Sequence, residues 1–377
     1  MKIVCDNKIP FIRGAFEPYA EVVYLPGAET TAEVVRDADA IVTRTRTRCN
    51  ASLLEGSSVK AIATATIGFD HIDTAWCEGH GIAWSNAPGC NSWSVKQYVS
   101  SVLAVLAQSR GLKLDTLTLG VVGVGNVGSK VADAGRAFGM RVLLNDPPRE
   151  RAEGPDGFVS LDTLLAESDI VTVHVPLTRE GEDATWHLFD AARLSGMRPS
   201  QILINSSRGP VVDNAALKDT LLRGGLKAAV LDVWEGEPQL DNELIGLLDI
   251  ATPHIAGYSA DGKANGTTMS VRYLARQLGL PLTEWTASGV PAPEQALEFA
   301  VDAAGRTVQE VLIEAVLHTY DVRRDSDALR AAPGAFERLR GDYWVRREPS
   351  AFTVTLRGGS PDLAARLELL GFKVNNS

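Results

Sequence analysis

The 377-residue chain is short of cysteine, of positive charge and of long apolar runs, and each shortage closes off a class of function. Its four cysteines, Cys5, Cys49, Cys77 and Cys90, lie far apart and form no CxxC pair. That spacing argues against a disulfide framework and against zinc, so no metal is expected and buried free thiols are. Lysine and arginine number 37 against 47 acidic residues, a formal charge of -10. Nucleic acid and anionic membranes both need basic surface, so neither is an expected partner. No stretch of about 18 apolar residues is available to span a bilayer. The opening MKIVCDNKIPF runs straight into a strand-like segment without a basic and then apolar leader, which points to a cytosolic protein.

What is present is α/β in rhythm, and the length suggests two or three domains. In the first hundred residues short apolar runs (2–5, 40–43, 61–64) alternate with helix-compatible segments. Residues 94–110 carry Val95, Val99, Val102, Leu103 and Leu106 at helical spacing, as a long connecting helix would. From Leu117 five strands alternate with four helices as far as KAAVLDV, with a sixth short strand at 249–252, the pattern of a Rossmann-type doubly wound parallel sheet. Residues 281–295 are rich in Pro, Ser, Thr and Gly and read as a linker. The remaining eighty or so residues read as helix (307–320), strand (351–356), helix (362–370) and strand (372–374), a small α/β appendage suited to subunit contacts.

Gly123-Val124-Gly125-Asn126-Val127-Gly128 is a GxGxxG that follows a strand, 118–122, and opens a helix. Its glycines allow a tight turn, close approach of the backbone to a pyrophosphate, and packing of helix on strand. The next strand, 141–145, ends in Asp146, eighteen residues after the third glycine. A carboxylate there accepts hydrogen bonds from the adenosine ribose and repels a 2′-phosphate, which favours NAD over NADP. The Asp146-Pro147-Pro148 sequence reads as an abrupt strand end.

Three polar clusters fall just past strand ends: Asn205-Ser206-Ser207-Arg208-Gly209-Pro210, Asp232 to Pro238 (DVWEGEP), and Thr252-Pro253-His254-Ile255-Ala256-Gly257. INSSRGPVVD, LDVWEGEP and TPHIAGYS resemble the signature blocks of the D-isomer-specific 2-hydroxyacid dehydrogenases, a resemblance that runs from residue 1 to about 280. It implies oxidation of a hydroxy acid at C2 with Arg208, Glu237 and His254 as the catalytic trio. Such chemistry needs a base that titrates near neutrality at the hydroxyl, and His254 can serve. Glu237 would orient the imidazole and stabilise its protonated form, and Arg208 offers a planar fork for a carboxylate and the C2 oxygen. The resemblance also implies cofactor contacts from Gly123, Gly125, Asn126, Val127, Gly128, Asp146, Val175, Ser206, Ser207, Arg208, Asp232 and Gly257, with Asp232 facing the nicotinamide carboxamide. The domains it implies are a flavodoxin-like substrate domain (1–93 with 256–282), an NAD domain (94–255) and a C-terminal dimerisation domain (283–377).

MKIVCDNKIPF, TRTRT, TATIGFDHID, NAPGCN and the C-terminal Arg340-Gly341-Asp342-Tyr343 and Arg346-Arg347-Glu348 resemble the erythronate-4-phosphate dehydrogenase family over the whole chain. This implies NAD-dependent oxidation of 4-phospho-D-erythronate to 2-oxo-3-hydroxy-4-phosphobutanoate in pyridoxal 5′-phosphate biosynthesis by a homodimer. It implies substrate contacts from Thr45, Thr66, Ile67, Gly68 and Tyr258. Thr45 stands where many relatives have Ser, and Ser94-Val95-Lys96-Gln97-Tyr98 departs from the acidic residue usual before the tyrosine. Thr43 to Arg48 follows an apolar strand, and period-2 alternation projects Arg44, Arg46 and Arg48 to one side, where a dianionic phosphate would fit. Arg346 or Arg347 is a further candidate, reaching a partner subunit's phosphate site. The residues also leave open a phosphoglycerate, glycerate or hydroxypyruvate dehydrogenase, and a non-catalytic NAD-sensing binding protein.

Overall fold

Every strand ladder in the computed structural model, which describes residues 1–376, is parallel. The chain divides into two units, Met1–Asn91 with Ser259–Ala292, and Ser92–Tyr258 with the residues from Pro293 on.

The first unit carries β1 (Lys2–Asp6), β2 (Glu21–Leu25), β3 (Ala40–Thr43), β4 (Ala61–Thr64) and β5 (Ala83–Ser85) in the order β2-β1-β3-β4-β5, the flavodoxin-like winding. The central strands β3 and β4 are buried throughout, and the edge strands β2 and β5 are mostly half-buried. Helix Ala260–Leu278 lays Val271, Leu274 and Ala275 on Ile3, Cys5, Ala61 and Ala63. It approaches closely at Gly266, where a Cβ would stand 2.7 Å from the Ala65 carbonyl oxygen. It stops at Gly279, whose φ of 68° is the left-handed cap that glycine adopts freely.

In the second unit β6 (Thr118–Val122), β7 (Arg141–Asn145), β8 (Ile170–Val173), β9 (Ile202–Asn205), β10 (Ala228–Leu231) and β11 (Ile250–Ala251) order as β7-β6-β8-β9-β10-β11. All but β7 are fully buried, as a parallel sheet covered on both faces requires. The winding reverses between β6 and β8, so ligands are expected beyond the carboxyl ends of those strands. The Pro147-Pro148 pair does more than end β7. It opens helix Pro147–Glu153, because proline is favoured in a first turn and the Asp146 side chain caps it.

The C-terminal segment adds a sheet of β12 (Glu298–Asp302), β13 (Thr353–Arg357) and β14 (Lys373–Asn376), and helices Val308–Thr319, Arg323–Ala331, Phe336–Gly341 and Pro361–Leu370. Thr307 and Glu310 form a capping box at the first of these helices. The segment shares one apolar core with the six-stranded sheet: Leu312, Val316, Tyr320 and Phe352 cluster with Val99, Val102 and Leu103 of helix Ser92–Arg110. All four cysteines are buried, and among the described residues none forms a disulfide. Among the described residues no helix is long and apolar enough to cross a membrane, and no cluster of His, Cys, Asp and Glu could hold a metal ion.

Candidate active site

The glycine turn after β6 is shaped by its neighbours at two positions and by none at the third. Gly123 has φ 85°, and a Cβ there would stand 2.7 Å from the His174 carbonyl oxygen and 2.8 Å from Val175. At Gly128 a Cβ would come within 1.8 Å of the Gly123 carbonyl oxygen. Around Gly125 no heavy atom lies within 4 Å of a Cβ position, so packing gives no reason for glycine there, whereas close approach of a pyrophosphate does. The helix begins at Gly128, with Asn126 and Val127 completing the turn. Asp146 ties the turn to β7: Oδ2 accepts from the Val124 N–H at 2.8 Å, and Oδ1 accepts from the Arg149 N–H at 3.1 Å. The Ser206 hydroxyl is buried without a partner. These features fit a bound dinucleotide.

Beyond β9, Asn205 fixes the next loop: Oδ1 accepts from the Ser207 N–H and hydroxyl, at 3.0 and 2.8 Å, and Nδ2 donates to the Arg208 carbonyl at 3.0 Å. Arg208 is thereby set half-buried at the end of the strand. The loop after β10 holds two carboxylates with separate duties. Glu235 accepts from the Asn214 N–H and faces His187 Nε2 at 2.8 Å. Glu237 faces His254 Nδ1 at 2.8 Å and accepts from the Trp234 N–H at 2.9 Å. Burial pushes the Glu237 carboxyl upward, but the hydrogen bond and charge of His254, the Trp234 N–H and the Arg340 guanidinium outweigh it, and the net direction is down.

His254 sits at φ 55°, a left-handed conformation that few side chains adopt, with its N–H donating to the Asp232 carbonyl at 2.7 Å. The buried Asp232 carboxylate accounts for that turn. Oδ1 accepts from the Thr252 hydroxyl (2.6 Å) and the Ile255 N–H (2.8 Å), and Oδ2 accepts from the Ala256 N–H (2.9 Å). Burial raises the carboxyl's pKa, and His254 and these donors oppose it. Asp232 is therefore a brace of the His254 turn, and Gly257 follows directly on it. The Tyr98–Thr252 hydroxyl contact at 2.8 Å extends the brace to helix Ser92–Arg110.

In the first unit the candidate substrate residues lie past the carboxyl ends of neighbouring strands β3 and β4. The alternation expected for Arg44, Arg46 and Arg48 is not found. The chain leaves β3 at Thr43 and bends, Thr47 turns inward to donate to the Gly27 carbonyl, and Arg44 donates to the Lys8 carbonyl. A strand period has no force where the ladder has ended. Thr45 and Arg46 are exposed. Thr66 donates to the Gly68 carbonyl at 2.8 Å, and the Ile67 carbonyl accepts from Asn86.

The expectation for Arg346 is overturned outright. It is 0% exposed, with Nη2 donating to the Ala256 carbonyl at 2.6 Å, and cannot reach into a partner subunit. The same segment supplies a group that sequence reasoning missed: Arg340, whose Nη2 donates to the Tyr258 hydroxyl at 3.0 Å. The RGDY block marked the stretch, but nothing in it marked the contact.

Residues 94–256 match the family described as D-isomer specific 2-hydroxyacid dehydrogenase, NAD binding domain, and residues 293–371 match a domain of unknown function (DUF3410). The erythronate-4-phosphate dehydrogenase of Bacteroides fragilis is 52% identical over 357 residues, covering 94% of this chain and 99% of that one. Its namesake from Proteus mirabilis is 43% identical over 379 residues, covering all of both. Among solved structures, a D-lactate dehydrogenase from Aquifex aeolicus complexed with NAD and lactic acid aligns with TM-score 0.62 at 28% identity, covering 78% of this chain and 100% of that one.

Proposed function

The chain belongs to the erythronate-4-phosphate dehydrogenases, within the D-isomer-specific 2-hydroxyacid dehydrogenases, and from that membership we propose that it oxidises 4-phospho-D-erythronate at C2. The product is 2-oxo-3-hydroxy-4-phosphobutanoate, an intermediate on the way to pyridoxal 5′-phosphate. NAD is the cofactor and, when bound, supplies the hydride acceptor.

The observation that carries the mechanism is the 2.8 Å contact of Glu237 with His254 Nδ1. It leaves Nε2 to take the C2 hydroxyl proton, and the carboxylate stabilises the imidazolium that results. Arg208 holds the substrate carboxylate and polarises the C2 oxygen. Gly123, Gly125 and Gly128 with Asn126 and Val127 shape the pyrophosphate cradle, Asp146 faces the ribose, and Val175, Ser206, Ser207 and Gly257 line the rest of the dinucleotide path. Asp232 acts on the nicotinamide side through the turn it braces. Arg44, Thr45, Arg46, Thr66, Ile67, Gly68 and Tyr258 contact the substrate. The enzyme works in the cytoplasm as a homodimer assembled through its C-terminal segment.

The test is a purified-protein assay with NAD and, separately, 4-phosphoerythronate, 3-phosphoglycerate and glycerate, following NADH absorbance. A kcat/KM at least tenfold higher for 4-phosphoerythronate than for the other two is expected. Preference for either of the others, or no NADH from any, overturns the reading.

A further inference from the structure

The C-terminal segment brings two guanidinium groups to the loop that carries His254, and they are used differently. Arg346 is spent on the fold: Nη2 donates to the Ala256 carbonyl, Nη1 lies 3.4 Å from the Tyr343 hydroxyl, and the group lies 4.4 Å over the Tyr320 ring. Arg340, from helix Phe336–Gly341, is only half-buried. Nη2 donates to the Tyr258 hydroxyl, and the guanidinium lies over the rings of Phe336 and Tyr258, at 5.3 and 5.6 Å. Its Nε is shielded without a partner. The guanidinium also makes an ion pair with Glu337 three residues before it, 3.8 Å from Nη1 and beyond hydrogen-bond reach, on a carboxylate that is itself exposed. Glu237 feels its charge but is committed to His254 and the Trp234 N–H. In a chain with 47 acidic residues to 37 basic ones, a partly desolvated cation held by rings and a phenol is arranged for an anion that comes and goes. Tyr258 follows His254 by four residues, so whatever Arg340 holds is set at a fixed reach from the imidazole.

We infer that Arg340 is a specificity-determining residue of the catalytic site, supplied by the C-terminal segment of the same chain, and that it binds the phosphate of the substrate. This rests on the dehydrogenase reading above: with the C1 carboxylate on Arg208, the anionic group left is the one at C4. The planar fork of arginine suits a tetrahedral dianion through two parallel N–H bonds, a match that a lysine point charge reproduces only in part.

The experiment compares the native enzyme with Arg340→Met and Arg340→Lys on 4-phosphoerythronate and on unphosphorylated erythronate, with thermal unfolding to check that each variant folds. The selectivity ratio, kcat/KM for the phosphorylated over the unphosphorylated acid, is expected to fall at least thirtyfold in Arg340→Met and by less in Arg340→Lys. An unchanged ratio, whether both substrates suffer equally or neither does, overturns the proposal. Calorimetric titration with inorganic phosphate provides an arm independent of turnover. At least tenfold weaker binding to Arg340→Met supports the proposal and equal binding overturns it, even if the native protein proves inactive on 4-phosphoerythronate and the dehydrogenase reading itself fails.

Discussion

Arg346 donates from Nη2 to the carbonyl oxygen of Ala256 at 2.6 Å, and the N–H of that same Ala256 donates to Asp232 Oδ2 at 2.9 Å. One peptide segment is thus gripped from both sides, by a buried cation from the C-terminal segment and by a buried carboxylate at the end of β10. His254 is two residues away in the sequence. Asp325 supports the cation's surroundings, accepting from Tyr320, Tyr343 and Trp344. The C-terminal segment is in this way a mechanical part of the catalytic loop as well as an addition to the core.

Replacing Arg346 with methionine keeps most of the volume but orphans the Ala256 carbonyl, at a cost of about 1–3 kcal/mol. The loop that sets His254 loses one of its two grips, so kcat is expected to fall tenfold or more while KM for NAD changes little. Urea unfolding and steady-state kinetics check both parts. Native stability together with native kcat would show that the grip is idle.

His254→Asn removes the proton acceptor while retaining a hydrogen-bonding group of similar reach. Turnover is expected to drop about 10²–10⁴-fold, the usual contribution of a positioned acid–base group. NADH affinity, followed by nucleotide fluorescence, is expected to stay within threefold, because the glycine turn, Asp146 and Ser206 are untouched. A variant with near-native turnover contradicts the assignment.

Much of this was legible in the sequence because the strands of a parallel sheet buried on both faces are continuous apolar runs, and the reactive groups sit just past their ends. The runs before Gly123, Arg208 and Asp232 announced both the sheet and the cluster. Edge strand β5 is only three residues long and too short to carry that signal, whereas edge strand β2 carries it in Val22 to Leu25. Helix Pro147–Glu153 was hidden because a proline pair reads as a breaker until the cap from Asp146 is seen. Arg340 and Arg346 were the least legible. Both stand in stretches that the family resemblance marks, but whether an arginine is spent on a carbonyl or left to meet an anion depends on packing that local sequence does not encode.

The depressed Glu237 carboxyl gives a pH dependence with a definite sign. A carboxylate whose pKa is lower folded than unfolded stabilises the protein fully above the unfolded value, about 4.3, and loses that contribution as pH falls through the folded value. The stability advantage of the native protein over Glu237→Gln is therefore expected to shrink as pH falls from about 5 to below about 4.3. Urea midpoints of both proteins across that range are the measurement. An advantage that keeps growing as pH falls below about 4.3 is incompatible with the ionised Glu237 carboxylate as its source.

The three glycines of the turn should separate folding from binding. A methyl at position 128 would meet the Gly123 carbonyl oxygen at 1.8 Å, a backbone atom that cannot rotate aside, so Gly128→Ala is expected to destabilise the protein by about 1–3 kcal/mol even without nucleotide. At position 125 the same methyl meets no heavy atom within 4 Å, and the backbone there is not in the left-handed region. Gly125→Ala should leave unfolding of the nucleotide-free protein within about 0.5 kcal/mol of native. It should nevertheless weaken NADH binding at least tenfold, because the added carbon occupies the face that the pyrophosphate must approach. If Gly125→Ala folds and binds NADH as tightly as the native protein, the dinucleotide does not cross the turn at that face, and the assignment of the glycine cradle fails with it.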